Sequence, residues 1–544
     1  MVFVVQCVLS MRQKSATYDE WGFISSGIRL LRPSLPVATW DRFRLINPPL
    51  GRLPNALPVA FLDYRQAELP AAAQSEQDTT VSRDAMKLGR IKDEFPFAWH
   101  ANPKALLFLA RLPTVLQGVV LALLVAWWAR RIGGPGADTG ALLLFCFAPN
   151  ILAHSRLATV DIAATLAFMG AAALAGHAVL RGGMVRLCVA SLVLALALQT
   201  KLSAHLLVPA LVLCAVVAWK TEGLAPARAL GRVCFIAGTG LLLNGVLYGI
   251  ALAPVAEGTS YGTQWGGDLA GWPRMAYRAY RSSLSLVETS KMKGFLVGRH
   301  YWNRHWAYYP LVAGVKTPVA TLLMASIAMG LLARLGRKRS FWHWWTCIPP
   351  GLLVVATVSR GLNVGLRHIL PAYPFMYAGA GAALAWLWRC RGGGRALSVA
   401  AGIACILPAL TTYPHYLAFF NRACGGPSNG YRLTVDSNID WGQDLPALAA
   451  CQRRWDIPAV KLSYFGTDSP DVYGVRYVAP LEEEVYRAHP GWYAVSATNL
   501  QGLYSYPDLD RWAWLRARKP DYQAGYSILL FDVAEIDEEG FPQG

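Results

Sequence analysis

Thr17-Tyr18-Asp19-Glu20 places two adjacent carboxylates directly after a short hydrophobic run, Met1–Ser10. If that run ends at a bilayer surface, both acids stand at the depth of a lipid head group. A carboxylate there can act as general base on a hydroxyl, which is typically worth about 10²–10⁴ in rate, and burial would tune its pKa. The structural alternative is a helix cap, with Asp19 capping a helix over Trp21–Leu31. Farther along, Asp161 opens an apolar stretch just after His154-Ser155-Arg156. Insertion scales put the cost of such an acid at about 2.5–3.5 kcal/mol at mid-membrane and less near the interface, so it calls for a partner. Arg156 and His154 are the nearest candidates, and an interfacial cap is the alternative.

Three basic clusters face these acids in the reading. Lys201 lies in Gln199-Thr200-Lys201, Lys316 in Lys316-Thr317-Pro318, and Arg367-His368 in a stretch from Asn363 to Pro371. Cations gathered on one face suit a phosphate or pyrophosphate, which Arg can grip with two parallel bonds. Each cation alone could instead snorkel to lipid phosphate. Pro and Gly beside Lys316 and Arg367 interrupt helix at membrane depth, which is tolerated only inside protein or along a water-filled cavity. Pro48-Pro49 forbids helix and is either a rigid turn or a lock on a loop. His300 and His305 match no standard metal-ligand spacing. Gly133-Gly134-Pro135-Gly136 follows no strand, so it reads as a turn and not a phosphate loop.

The elements that must position these residues are mostly apolar. Of 544 residues 54% are hydrophobic and 15% charged, with mean hydropathy +0.31; a soluble chain would be nearer about 25% charged. The net charge of +18 could suggest nucleic acid, but no nucleic-acid-binding motif accompanies it, and basic cytoplasmic loops explain it. Ten runs could span a bilayer or nearly do so: Leu106–Trp128, Gly140–Leu152, Leu157–Leu180, Leu187–Leu198, Leu206–Trp219, Ala229–Leu252, Pro310–Leu332, Phe341–Val358, His368–Trp388 and Leu397–Thr412. With Met1–Ser10, too short to cross alone, the expectation is about eleven spans. Met1–Ser10 has no A-x-A-like site and is not read as a cleaved signal peptide.

Orientation follows from the loops. One set of short loops holds Arg130, Arg131, Arg181, Arg186, Lys220, Arg228, Arg232, Arg334, Arg337, Lys338, Arg339, Arg389, Arg391 and Arg395. The other holds Arg156, Lys201, Arg360 and Arg367, fourteen cations against four. The positive-inside rule makes the first set cytoplasmic. The expected organisation is a membrane part, residues 1–412, with outward segments 11–104 and 253–309, and an extracytoplasmic α/β domain, 413–544. In that domain Lys461–Phe465 and Ser527–Asp532 read as strands and Asp444–Arg454 as a helix. Cys424 and Cys451 could pair there if that side is oxidising.

With these residues placed, the chain resembles the bacterial family-39-type glycosyltransferases of the GT-C superfamily, which include protein O-mannosyltransferases and the aminoarabinose transferase acting on lipid A. The resemblance runs over nearly the whole chain. It rests on Tyr18-Asp19-Glu20, Pro48-Pro49-Leu50, the stretch from Pro149 through His154 to Asp161, Thr200-Lys201, Lys316-Thr317-Pro318, Arg367-His368-Ile369-Leu370-Pro371 and the run from Tyr413-Pro414 to Asp436-Ser437-Asn438-Ile439-Asp440-Trp441-Gly442-Gln443-Asp444-Leu445. It implies a GT-C-type helix bundle and a dolichyl- or undecaprenyl-phosphate sugar donor. It also implies transfer with inversion to an acceptor hydroxyl on the extracytoplasmic face of a bacterial inner membrane. Asp19, with Glu20 beside it, would be the base, and Asp161 would orient acceptor or base. Lys201, Lys316 and Arg367 would hold the departing lipid phosphate, with His368, Arg156 and His154 counted among the substrate-binding residues. The family often carries an acidic or basic residue just before Pro-Pro, where Ile46 and Asn47 stand here. No metal ligand is therefore assigned, and a divalent cation is left open. The sugar and the acceptor (protein, glycan or lipid) are not fixed, and by position the C-terminal domain is expected to choose the acceptor. A transporter or flippase for lipid-linked sugars is the rival reading; it predicts ionisable pairs near mid-membrane and repeated halves, and no repeat is visible. A non-catalytic membrane scaffold is a third, but it would not need charges at span ends.

Overall fold

The computed structural model describes residues 1–32, 48–64, 96, 100–256, 293–335, 340–359, 363–505 and 510–533. Ile46, Asn47, Arg337, Lys338, Arg339, Arg360 and most of segment 253–309 lie outside them. Every apolar run read from the sequence is mostly helical, and two of them are broken into two bent helices. The chain is mainly helical, with a small sheet domain at its C-terminal end.

The helices are α1 Val2–Met11, α2 Glu20–Leu31, α3 Pro103–Gly133, α4 Ala137–Cys146, α5 Pro149–Ser155, α6 Asp161–Arg181, α7 Met184–Leu198, α8 Leu207–Glu222 and α9 Pro226–Ala256, then α10 Tyr308–Lys316, α11 Val319–Leu335, α12 Phe341–Ser359, α13 Tyr373–Arg389 and α14 Gly394–Thr412. Local chemistry sets their ends. Asn102 caps α3 by accepting from the Ala105 N–H at 3.0 Å, with Pro103 at the first helical position. Gly134, at φ +74°, ends it. Small residues let α4 and α13 approach closely: a Cβ on Gly140 would lie 3.0 Å from the Gly381 carbonyl oxygen. Large aromatics fill the space between α3, α6 and α13, where Trp128 and Phe168 both meet the edge or face of Phe375.

Among the described residues five helices are long and apolar enough to cross a membrane, or up to seven if each of two bent pairs is one span. The difference from the expected eleven has three causes. First, α1, α7 and α13 have 10, 15 and 17 residues, and at 1.5 Å per residue even the longest falls short of a ~30 Å hydrocarbon core. Second, two apolar runs are broken: α4 and α5 meet at 64°, and the run expected as one span over Pro310–Leu332 turns by 115° between α10 and α11. The second break falls at Thr317-Pro318, where proline removes a donor and disfavours helix in the residue before it. Third, α12, at 19 residues, is diluted by His343, Pro349 and Pro350 below the hydropathy of a span.

The two ends of the bundle differ. At one end Arg131 stacks over Trp127 and Trp342, Arg130 pairs with Asp138 at 2.7 Å, and Arg389 donates to the Gly133 carbonyl oxygen at 2.9 Å. The other end carries the C-terminal domain. Its sheet joins β3 Val460–Ser463, β4 Tyr477–Val478, β5 Gly491–Ser496, β6 Tyr522–Ala524 and β7 Ile528–Val533 in the order β4-β3-β5-β7-β6. The β3–β4 and β3–β5 pairs are parallel, the β5–β7 and β6–β7 pairs antiparallel. Helix α15, Leu445–Arg454, buries Leu445, Leu448 and Ala449 with Leu462 and Leu530 of the sheet. A separate hairpin, β1 Lys293–Leu296 and β2 Arg299–Trp302, leans on this domain through Val297 N–H to the Leu433 carbonyl oxygen at 2.8 Å.

The segment between α1 and α2 is stitched to the C-terminal domain. Ser15 N–H donates to Gln443 O at 3.1 Å and Tyr18 N–H to Trp441 O at 2.7 Å, while Ala16 N–H donates to the Asp468 carboxylate at 2.6 Å. Cations brace the same joint from the membrane side. Lys14 pairs with buried Asp444, and Arg156 donates to Pro414 O at 2.9 Å.

Candidate active site

Asp19 stands at the start of α2 but makes no side-chain capping bond. Its Oδ2 instead receives Arg367 Nη1 at 2.6 Å, across 348 residues of chain. Both side chains are largely covered, Arg367 at 16% exposure and Asp19 at 13%. The Arg367 guanidinium lies 4.2 Å from the centre of the Trp441 ring, a cation–π contact that holds it flat. Its Nε has no hydrogen-bond partner among the described residues. Burial weighs against the Arg367 charge, yet Asp19, Asp161 and Asp436 together hold it protonated above its ordinary pKa.

Asp161 opens α6 with a buried carboxylate. Lys201 Nζ reaches its Oδ1 at 2.7 Å, and Thr159 Oγ1 donates to its Oδ2 at 3.1 Å. The same Lys201 Nζ lies 3.5 Å from the Arg367 carbonyl oxygen, so the two acid–cation pairs adjoin. The Pro49–Arg52 turn supports Lys201: Gly51 N–H donates to Gln199 O at 3.0 Å, and a Cβ on Gly51 would press on the Thr200 backbone at 2.9 Å. Here Pro49 starts a 3-10 turn over Leu50–Arg52.

Arg367 is carried by a 3-10 turn, Leu366–His368, that the C-terminal domain pins. Leu366 N–H donates to Asn438 Oδ1 at 3.0 Å, and Ser437 Oγ donates to Val364 O at 2.7 Å. A Cβ on Gly365 would overlap the Ser437 hydroxyl, so the close approach of the two turns requires glycine there.

Glu20 is elsewhere. It is fully buried and gripped bidentately by Arg111 of α3, Nε to Oε1 and Nη2 to Oε2 both at 2.7 Å. Thr17 N–H and Ala158 N–H donate to the same carboxylate at 2.7 Å. All its acceptor directions are engaged within the protein. Lys316, read from the sequence beside Lys201 and Arg367, sits at the α10–α11 bend with its ammonium donating to the carbonyl oxygens of Leu417 and Asn438. Arg156 likewise spends Nη1 on Ser10 O and Pro414 O. His154 lies 4.0 Å from Asp161, beyond hydrogen-bond reach, with its ring edge towards Trp441. His368 is next to Arg367, its Nε2 buried and without a partner among the described residues. His300 Nε2–H donates to Gln501 O at 2.6 Å, and no three metal-ligating side chains stand together among the described residues. Cys424 and Cys451 are free thiols.

Sequence reasoning did not single out Arg111, Trp441 or Asp436 for roles. Arg111 had a signal: a lone cation inside the apolar run Leu106–Trp128 demands a buried partner. Asp436 faces Arg367 from the C-terminal domain; burial pushes its carboxyl pKa up, partly offset by Arg367.

An apolar groove of about 730 Å³ runs between α11, α12 and α13. It is lined by Met329, Leu332, Val354 and Phe375 and extends from Ala372, close after Arg367 in the chain, to Arg334 and Arg389 at the far end of the bundle.

No protein-family model matches this chain, and no curated protein matches it. Among solved structures it is similar to ArnT from Cupriavidus metallidurans bound to undecaprenyl phosphate, at 13% identity and a TM-score of 0.48, over 97% of this chain and 96% of that one. The apo state of the same protein gives 13% identity and a TM-score of 0.45. The archaeal oligosaccharyltransferase AglB from Archaeoglobus fulgidus, in complex with an inhibitory peptide and a dolichol-phosphate, is similar over 75% of this chain and 54% of its own, at 11% identity and a TM-score of 0.46.

Proposed function

We propose that this chain is a membrane glycosyltransferase of the GT-C kind, moving a hexose from a polyprenyl-phosphate donor to an acceptor hydroxyl with Asp19 as general base. The observation that carries the reading is the meeting of two acid–cation pairs, Asp19 with Arg367 and Asp161 with Lys201. The prenyl tail lies along the groove and its phosphate at Arg367 and Lys201. The donor phosphate competes with Asp19 for the Arg367 guanidinium, which releases the Asp19 carboxylate. The acceptor hydroxyl then loses its proton to Asp19 as its oxygen bonds to the anomeric carbon from the side opposite the phosphate. The carbon–oxygen bond to phosphate breaks, and its electron pair leaves with the lipid phosphate. Fixed cations stabilise the negative charge that grows there.

Glu20, Arg111, Arg156 and Lys316 are positioning residues in this scheme, because their charged groups are spent inside the protein. The donor set does not favour a divalent cation, since Asp19 and Asp161 each already face a side-chain cation. A flippase would want its ionisable pairs inside the spans; here they sit at helix starts and in turns. The excess of Arg and Lys in the opposite loops supports a C-terminal domain on the periplasmic side of the inner membrane.

The test uses the full chain in nanodiscs with radiolabelled undecaprenyl-phosphate hexoses and a panel of protein, glycan and lipid acceptors. The native chain is expected to transfer label. Asp19→Asn is expected to lose turnover by at least about 10²-fold while its melting temperature stays near native. Native-rate transfer by that variant would remove Asp19 from the mechanism.

A further inference from the structure

Beside the Asp19–Arg367 pair stands an aromatic ring that neither pair uses. Tyr504 is 51% exposed, yet it is held on two sides. Its hydroxyl donates to Asp436 Oδ2, and one ring face stacks on Phe465, centroids 5.5 Å apart and planes at 16°. Phe465 stacks in turn on Tyr18 at 5.1 Å and 16°. The row of three rings therefore begins at the residue before Asp19 and ends on Tyr504, half of whose surface is exposed. The charges of Arg367 and Asp19 both reach the Tyr504 hydroxyl.

The loop that carries Tyr504 is buttressed in a way a casual surface loop is not. Lys293 Nζ donates to Gly502 O at 2.9 Å, and His300 Nε2 meets Gln501 O at 2.6 Å. Leu503 is buried with Phe295 and Val435. Asp436 itself adopts φ +58°, a left-handed conformation that is uncommon for residues other than glycine. Asp436 N–H donates to Thr498 Oγ1 at 3.1 Å, and Ser437 N–H returns to the Asp436 carboxylate. That backbone is what points the carboxylate at the Tyr504 hydroxyl.

A rigid, half-exposed ring, rimmed by carboxylates and a guanidinium, has the chemistry to receive a pyranose. The weakly positive C–H face of the sugar lies on the negative π face, and its hydroxyls meet the polar rim. We propose that Tyr504 is the platform of a pyranose subsite on the C-terminal domain, with Asp436 as the positioning residue that locks the ring. The proposal rests on the transferase reading for its place in a reaction, and the sugar seated there is either the donor's or a glycan acceptor's.

The experiment is saturation-transfer NMR on the full chain in nanodiscs, with methyl glucoside, methyl mannoside and methyl galactoside as probes. At least one is expected to bind the native chain. Tyr504→Trp, which keeps a platform, is expected to retain the signal, and Tyr504→Leu to lose about tenfold. Tyr504→Phe keeps the ring but frees it from Asp436 and is expected to fall between. No signal from any probe with the native chain, or a Leu variant that binds as the native chain does, overturns the proposal; should the Leu variant fail to insert, a Phe variant equal to native overturns the role of Asp436. Adding an undecaprenyl-phosphate hexose separates the sources: displacement of the probe assigns the subsite to the donor sugar, and an unchanged or stronger signal assigns it to the acceptor. Pyranoside binding without sugar transfer would sink the transferase reading alone, and transfer without pyranoside binding would sink this one alone.

Discussion

Asp440 is a buried carboxyl group whose Oδ2 accepts from Thr498 N–H at 2.8 Å while Oδ1 has no partner among the described residues. Burial pushes its pKa up from 3.8 to about 7, and Asp468 is pushed to about 6 for the same reason. The unfolded chain releases these protons near the ordinary value, whereas the folded chain keeps them longer. Folding stability is therefore expected to fall as pH rises through the window from about 4 to 7. Asp440→Asn cannot ionise, so its melting temperature should decline less over that window and exceed the native value at pH 8; equal slopes for the two proteins in detergent melts would refute this. Individual acids were legible in the sequence, but their partners were not. Asp19 was read as standing at a bilayer surface, with capping as its alternative, and no spacing rule connects it to Arg367 far along the chain. Glu20 has the same residue type and the next position, yet it faces Arg111 because helix turns neighbouring side chains to different sides.

At the scale of elements, the turn Leu366–His368 has little hydrogen bonding of its own and takes its shape from the Asp436–Asn438 turn pressed against it. Gly365→Ala is expected to push the two turns apart, move Arg367 off Asp19, and lower kcat/KM by roughly tenfold or more, since small misplacements at a reacting centre are costly. Removing the obstructing hydroxyl with Ser437→Ala should restore part of that loss in the double variant; additive losses would show that the contact is not the cause. The helical runs were visible because periodicity and apolar length are local properties. The 115° bend between α10 and α11 was visible only as a proline inside an apolar run. Its angle depends on Lys316 finding carbonyl oxygens in a domain that starts about a hundred residues later.

Across the whole molecule, buried cations tie the membrane helices to the C-terminal domain. Lys14 meets Asp444, Arg156 meets Pro414, and Lys316 meets Leu417 and Asn438. Deleting Tyr413–Gly544 would strand all three, at about 1–3 kcal/mol for each lost partner and more for a charge. The truncated chain is thus expected to lose its monodisperse peak in detergent chromatography rather than merely change acceptor choice; a stable, folded truncation would show that the joint is dispensable. The resting Asp19–Arg367 bond has a consequence for kinetics. In the proposed mechanism, Asp19 cannot take a proton from water while Arg367 holds its carboxylate. If the lipid phosphate is what displaces it, the substrates should load in a compulsory sequence, lipid before acceptor, with little wasteful hydrolysis. Initial-rate inhibition by undecaprenyl phosphate should then be competitive against the sugar-lipid and noncompetitive against acceptor, and a random pattern would contradict it.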